Sequence, residues 1–149
     1  MKKRSILKKC IPISIVIIII LLLIVTFKML TRPVSLDNSK YFDRGFVENA
    51  TVEVVNLVET EDYNTLYKLT GAPLKKKFSK NYFIRYKTQV CDDWGKSTGN
   101  GTIYTSEIIQ NRQHYADCTM EATYENVKVQ FHLTFNTDMK LVDLTMEEE

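Results

Sequence analysis

The residues of this 149-residue sequence best suited to chemistry are two histidines, three cysteines and a few carboxylates and tyrosines near them. His114, Tyr115 and Asp117 lie close together, and His132 follows. A histidine or carboxylate as general base, with a tyrosine to stabilise an oxyanion, is the set an acid–base enzyme would draw on. The surrounding residues argue against that use. Ala116, Cys118, Met120, Ala122 and Tyr124 alternate with Tyr115, Asp117, Thr119, Glu121 and Thr123, and His132 belongs to the polar set of the next alternating run. Asp117 and His132 are therefore expected to face water or a partner, while His114 precedes the regular part of its strand. No catalytic residue is assigned, and the chain is expected not to be an enzyme.

Metal and cofactor chemistry find no better support. Two histidines without a Cys-x-x-Cys pair or a His-Glu-x-x-His helix do not make a zinc signature. Asp92-Asp93 lacks the alternating oxygen ligands of a calcium loop. Gly99-Asn100-Gly101 precedes a strand, so it is no phosphate-binding loop, which must open a helix. No metal and no cofactor is expected. Cys91 and Cys118 have two readings: a disulfide joining the third helix to the sheet, stabilising by roughly 3–4 kcal/mol through loop closure, or two small buried apolar residues. Cys10 lies on the other side of an apolar run and is excluded as a partner for either.

That run, Ile11 to Phe27, has 17 residues and no charge. As a helix it would extend about 26 Å, close to the hydrocarbon thickness of a bilayer, with Lys9 and Lys28 able to reach the headgroups. Residues 1–10 carry five basic side chains and no acid, which orients the N-terminus to the cytoplasm. The segment after the run, KMLTRPVSLDNSK, offers no small-x-small cleavage site, so the span is expected to stay attached. The expected organisation is a cytoplasmic tail (1–10), a transmembrane helix (11–27), a stalk (28–41) and an extracytoplasmic domain (42–149) at the cell membrane. From Lys28 onward the net charge is −3, with no basic stripe interleaved with aromatics, so nucleic acid is excluded as a partner.

Within the domain, Phe46, Val47, Ala50, Val54, Val55, Leu57 and Val58 recur at helical steps. Tyr63, Leu66, Tyr67 and Leu69 predict a second short helix, and Gly71-Ala72-Pro73 a turn. Ser79 is placed to cap a third helix burying Tyr82, Phe83, Tyr86 and Val90. After the turn-forming stretch 96–101 come four strands, over about 102–109, 112–124 and 127–135 and from Met139 onward, with turns at Glu125-Asn126 and Asn136-Thr137-Asp138. Three helices followed by about four antiparallel strands predict an α+β domain with helices against one face of a curved sheet.

Asp62-Tyr63 between the first helices, Trp94-Gly95, the run Val127-Lys128-Val129 through Phe135, and Asp138-Met139-Lys140-Leu141-Val142 resemble the cone-shaped superfamily of nuclear transport factor and ketosteroid isomerase. The resemblance covers about residues 42–146, and within it the chain looks most like extracytoplasmic domains of unknown function from Gram-positive bacteria. It implies the cystatin-like cone fold and transfers no catalytic residue. A second branch with the same topology, the assembly factor of type IV secretion and conjugation machines, implies a scaffold. The expected function is a non-enzymatic, membrane-anchored binding or interaction module. A scaffold subunit of such a complex is the alternative, and an enzyme using the cone pocket comes third. The expected partners are the lipid bilayer and either a protein or a small apolar ligand, with a second copy of the chain as the partner a scaffold would need.

Overall fold

The computed structural model describes residues 33–77 and 79–149. The expected tail, transmembrane helix and beginning of the stalk lie outside these residues. Among the described residues no helix is long and apolar enough to cross a membrane.

Helices come first. Asp43 caps α1 (Arg44–Glu59), its Oδ1 accepting from the Phe46 amide at 2.8 Å. Val47, Thr51, Val54, Val55 and Val58 form its buried stripe, at the spacing of one helical face. Thr51 is tolerated there because its hydroxyl donates to the Val47 carbonyl at 2.9 Å. Phe46, expected in the stripe, is 59% exposed: it sits one position, about 100°, from its neighbour Val47, off the centre of the apolar face. Asp62 caps α2 (Tyr63–Leu69), accepting from the Thr65 amide at 3.1 Å and the Thr65 hydroxyl at 2.7 Å. Those bonds hold its carboxyl below the ordinary carboxylate value. Tyr63 and Leu66 face the core, whereas Tyr67 is exposed.

The expected turn at Gly71-Ala72-Pro73 instead opens a further helix, α3 (Ala72–Lys77). Proline suits a first turn, where its missing N–H has no intrahelical partner to lose, and Leu74 anchors the helix in the core. There are thus four α-helices among the described residues, not three. The last, α4 (Lys80–Val90), begins after Ser79, whose side chain makes no capping bond. It buries Phe83, with Tyr86 and Val90 packed at the margin, while Tyr82, expected inside, is exposed.

The sheet is an antiparallel meander in the order β1-β2-β3-β4-β5. It comprises β1 (Val34–Ser35), β2 (Ser97–Gln110), β3 (Gln113–Tyr124), β4 (Lys128–Asn136) and β5 (Leu141–Glu148). It has five strands rather than about four, because Val34 and Ser35, expected in the stalk, pair with Glu107 and Ser106. Leu36, just after them, is buried. β2 is longer than expected and absorbs the turn-forming stretch through register shifts between Ser97 and Gly99 and between Asn100 and Ile103, as extra residues in a ladder do. Met139, expected to open the last strand, stands in the preceding turn with φ 54°.

One face of the sheet carries Ala116, Cys118, Met120 and Ala122 from β3 and Val129, Phe131, Leu133 and Phe135 from β4, all buried against the helices. This is the alternation read from the sequence. The outer edge of β5 is also covered. Gly71 donates its amide to the Leu141 carbonyl at 2.8 Å, and Met146 donates its amide to the Tyr86 hydroxyl at 2.9 Å. Occupied edge groups cannot template another strand.

Candidate functional site

Asp117 and His132 lie on the sheet face away from the helices, paired across the ladder with Thr134 and Thr119. The Thr134 hydroxyl donates to Asp117 at 3.2 Å. His132 Nδ1 lies 3.1 Å from the Thr119 hydroxyl, and its Nε2 lies 3.1 Å from both Gln130 and Glu147. Tyr115, on the same face, donates to Gln113 at 2.6 Å. The contacts of Thr134, Thr119 and Glu147 cross the ladder, whereas Tyr115–Gln113 and His132–Gln130 join alternate residues of one strand, and together they do not gather the expected residues into one constellation.

His114 stands apart from that set. It is part of β3, on the helix-facing parity, and its Nδ1 meets the carboxylate of Glu107. Glu107 is only 7% exposed, as a carboxylate tolerates only when it has a partner. The reason for its burial is registry. Asn111 and Arg112 join β2 to β3 with φ of 52° and 64°, the left-handed pair that a tight two-residue hairpin requires. Counting back from that turn aligns Glu107 with Ala116, an inward residue. On the other side, Tyr41 stacks on the imidazole with centroids 3.8 Å apart. The ring is therefore fixed from two directions, and with Nδ1 engaged by Glu107 its remaining polar atom is Nε2.

His114 forms part of the wall of a groove of about 450 Å³, together with Tyr41, Arg112, Tyr115, Asn136 and Asp138. Asn136 shapes the adjoining turn by accepting from the amides of Asp138 and Lys140 at 3.1 and 2.8 Å. Arg112 has no ion-pair or hydrogen-bond partner among the described residues. An unpaired guanidinium, an oriented imidazole and an aromatic ring in one wall suit an acidic group attached to an apolar body. Sequence reasoning missed Glu107, Arg112 and Tyr41. A β2–β3 hairpin centred on Asn111-Arg112 would have revealed Glu107 as inward, but β2 itself alternates too weakly to show it.

The two cysteines of the domain are free, and the bridge weighed for them is not formed. Cys91 donates its thiol to the Asp93 carbonyl at 3.3 Å. Cys118 is buried in β3, and burial pushes its thiol up to about 12, with Asp117 and Glu48 adding to the shift and the Thr51 hydroxyl opposing it. Among the described residues no group of three or more His, Cys, Asp or Glu side chains is placed to hold a metal ion.

Four helices against one face of an antiparallel meander, with a polar groove at one hairpin end, define an α+β domain. Residues 51–144 match the family described as "Protein of unknown function (DUF3887)", and the chain belongs to that family. It is similar in fold to a protein from Ruminococcus gnavus ATCC 29149 solved by NMR, with a TM-score of 0.63 at 20% identity, over 72% of this chain and 94% of that one. No curated protein matches the chain.

Proposed function

We propose that this chain is a single-pass, membrane-anchored module whose domain lies outside the cytoplasm and works by binding, without catalysis, through the groove at the β2–β3 hairpin end. Its preferred occupant is a monocarboxylate carrying an apolar body, whether a small molecule or the end of a polypeptide. The observation that carries the reading is the His114 ring, held between buried Glu107 and Tyr41 beside Arg112, whose guanidinium has no partner among the described residues. Asp138 in the same wall works against a multiply charged anion, so a carboxylate fits better than a phosphate. Anchoring draws its support from the apolar run 11–27 and the five basic residues before it. Helices preceding a terminal meander support kinship with the nuclear transport factor and ketosteroid isomerase superfamily.

Both halves of the reading are testable. Benzoate titrated into the full-length protein in nanodiscs should give saturable NMR shifts centred on Tyr41, Arg112 and His114, abolished by Arg112→Gln, with phosphate weaker. Shifts that are absent, scattered or unchanged in that variant would overturn the binding site. Cys10 should react with an impermeant maleimide in intact cells only after permeabilisation, and reaction from outside would overturn the topology.

A further inference from the structure

A second concavity, of about 190 Å³, lies where the corner between α1 and α2 meets the C-terminal end of α4, and Glu61, Tyr63, Lys87, Asp92 and Trp94 are in its wall. Four features there point one way. The first is charge: Glu61, Asp92 and Asp93 outnumber Lys87, and Asp92 has no ion-pair or hydrogen-bond partner among the described residues. The second is backbone: an 11-residue helix ends at the cleft, and its last carbonyls carry partial negative charge. The third is Lys87, whose ammonium contacts Glu61 at 3.0 Å and sits 5.2 Å from the centre of the Trp94 ring. A cation between a carboxylate and an indole face is the geometry by which proteins recognise amines. The fourth is an orphan: Tyr63 is 4% exposed, and its hydroxyl is buried without a hydrogen-bond partner among the described residues. Burying a hydroxyl unsatisfied is unfavourable, and native structures seldom retain one without a reason.

We propose that this cleft binds an organic ammonium group, with Asp92 and Glu61 meeting its charge, Trp94 its alkyl stem and the Tyr63 hydroxyl one of its polar atoms, and that Lys87 occupies the place in its absence. The site is separate from the hairpin-end groove and does not depend on it. Two sources share the chemistry, a small free amine and a lysine side chain of a polypeptide.

The test is an NMR titration of the full chain in nanodiscs with butylammonium and, in a parallel arm, with N-acetyl-lysine-N-methylamide, against sodium chloride at equal ionic strength. Saturable shifts at Glu61, Asp92 and Trp94 are expected in at least one arm. Equal affinities assign the source as a free amine, and tighter binding of the capped lysine assigns a polypeptide. Asp92→Asn should weaken binding about two- to fivefold, the range of one exposed charge contact. Lys87→Met should strengthen it by a similar factor, since the resident cation no longer competes. Tyr63→Phe should weaken it about two- to tenfold while leaving the urea midpoint unchanged or raised. No saturable shift in either arm, equal shifts with sodium chloride, or weaker binding in Lys87→Met would overturn the proposal. The three variants alter the cleft in different ways, so a folding failure of one leaves the other two decisive.

Discussion

Tyr124, the last residue of β3, donates its hydroxyl to Glu59 in the final turn of α1 across 2.7 Å. The bond ties the sheet to the first helix between residues 65 positions apart in sequence, and Tyr124 also packs against Trp94 at 4.8 Å between ring centres. Burial, then the hydrogen bond and charge of Glu59, hold the Tyr124 hydroxyl above its ordinary value. Tyr124→Phe keeps the ring and removes only the donor, leaving a carboxylate without its partner. A loss of about 1.5–3 kcal/mol is expected, read from urea unfolding at neutral pH.

Alkali should destabilise the fold, and the sign follows from two groups. Cys118 is raised from 9.0 to about 12, and Tyr124 is raised from 10.0. In the unfolded chain both ionise at ordinary values while the folded state keeps their protons. The stabilisation is therefore whole below pH 9.0 and, for Cys118, is lost progressively between there and about 12. The urea midpoint should fall steadily across that window, and Cys118→Ala should flatten the fall. A midpoint that stays level above pH 9.0 would refute the assignment.

Gly95 and Gly99 make a matched pair. Gly95 has φ +70°, and a Cβ there would lie 2.7 Å from the Glu125 Cβ, whereas a Cβ on Gly99 meets nothing within 4 Å. Gly95→Ala should cost about 1–2 kcal/mol from the left-handed backbone alone, with the clash in addition. Gly99→Ala should be neutral or slightly stabilising, because it restricts the unfolded chain. Thermal melts of the two variants side by side decide the matter.

How much of this was legible follows from which residues alternate cleanly. β3 and β4 carry strict inward and outward sets, so their faces, the hairpin at Glu125-Asn126 and the outward position of Asp117 and His132 were readable. Trp94-Gly95 marked the end of the helices because a left-handed turn must follow there. The rest depended on partners distant in sequence. Val34 and Ser35 are too few to show a period and become a strand only beside β2. Pro73 reads as a turn former, yet it opens a helix because Leu74 has a core to enter. Glu107 is polar on a weakly patterned strand, and only registry against β3 reveals that it is buried beside His114.

Thiol chemistry separates the two cysteines of the domain. Cys118 is essentially inaccessible and its thiol stays protonated far above neutral pH, whereas Cys91 is half-buried at the end of α4. Since the thiolate is the reactive species, a maleimide should label Cys91 within the folded protein and Cys118 only after unfolding. Intact mass after mild oxidation should show no loss of two hydrogens within the domain. A bridge detected between them would require a rearrangement of α4 against β3.

Glu107 supplies the most discriminating test of the hairpin-end groove. Its carboxylate faces His114 Nδ1, which holds a proton on Nδ1 and leaves Nε2 as the atom turned to the groove, where it donates to a bound carboxylate when it carries a proton as well. Glu107→Gln retains an acceptor oxygen of the same reach, so the tautomer and most of the stability should survive. Glu107→Ala leaves the ring nitrogen without its partner and opens a void beside β1, with an expected cost of about 1–3 kcal/mol. Nitrogen-15 spectra of the imidazole report the tautomer directly, and benzoate titration of both variants reports the groove. If the alanine variant kept the Nδ1–H tautomer and wild-type benzoate affinity, Glu107 would be a buried ornament of the sheet and not the residue that orients His114.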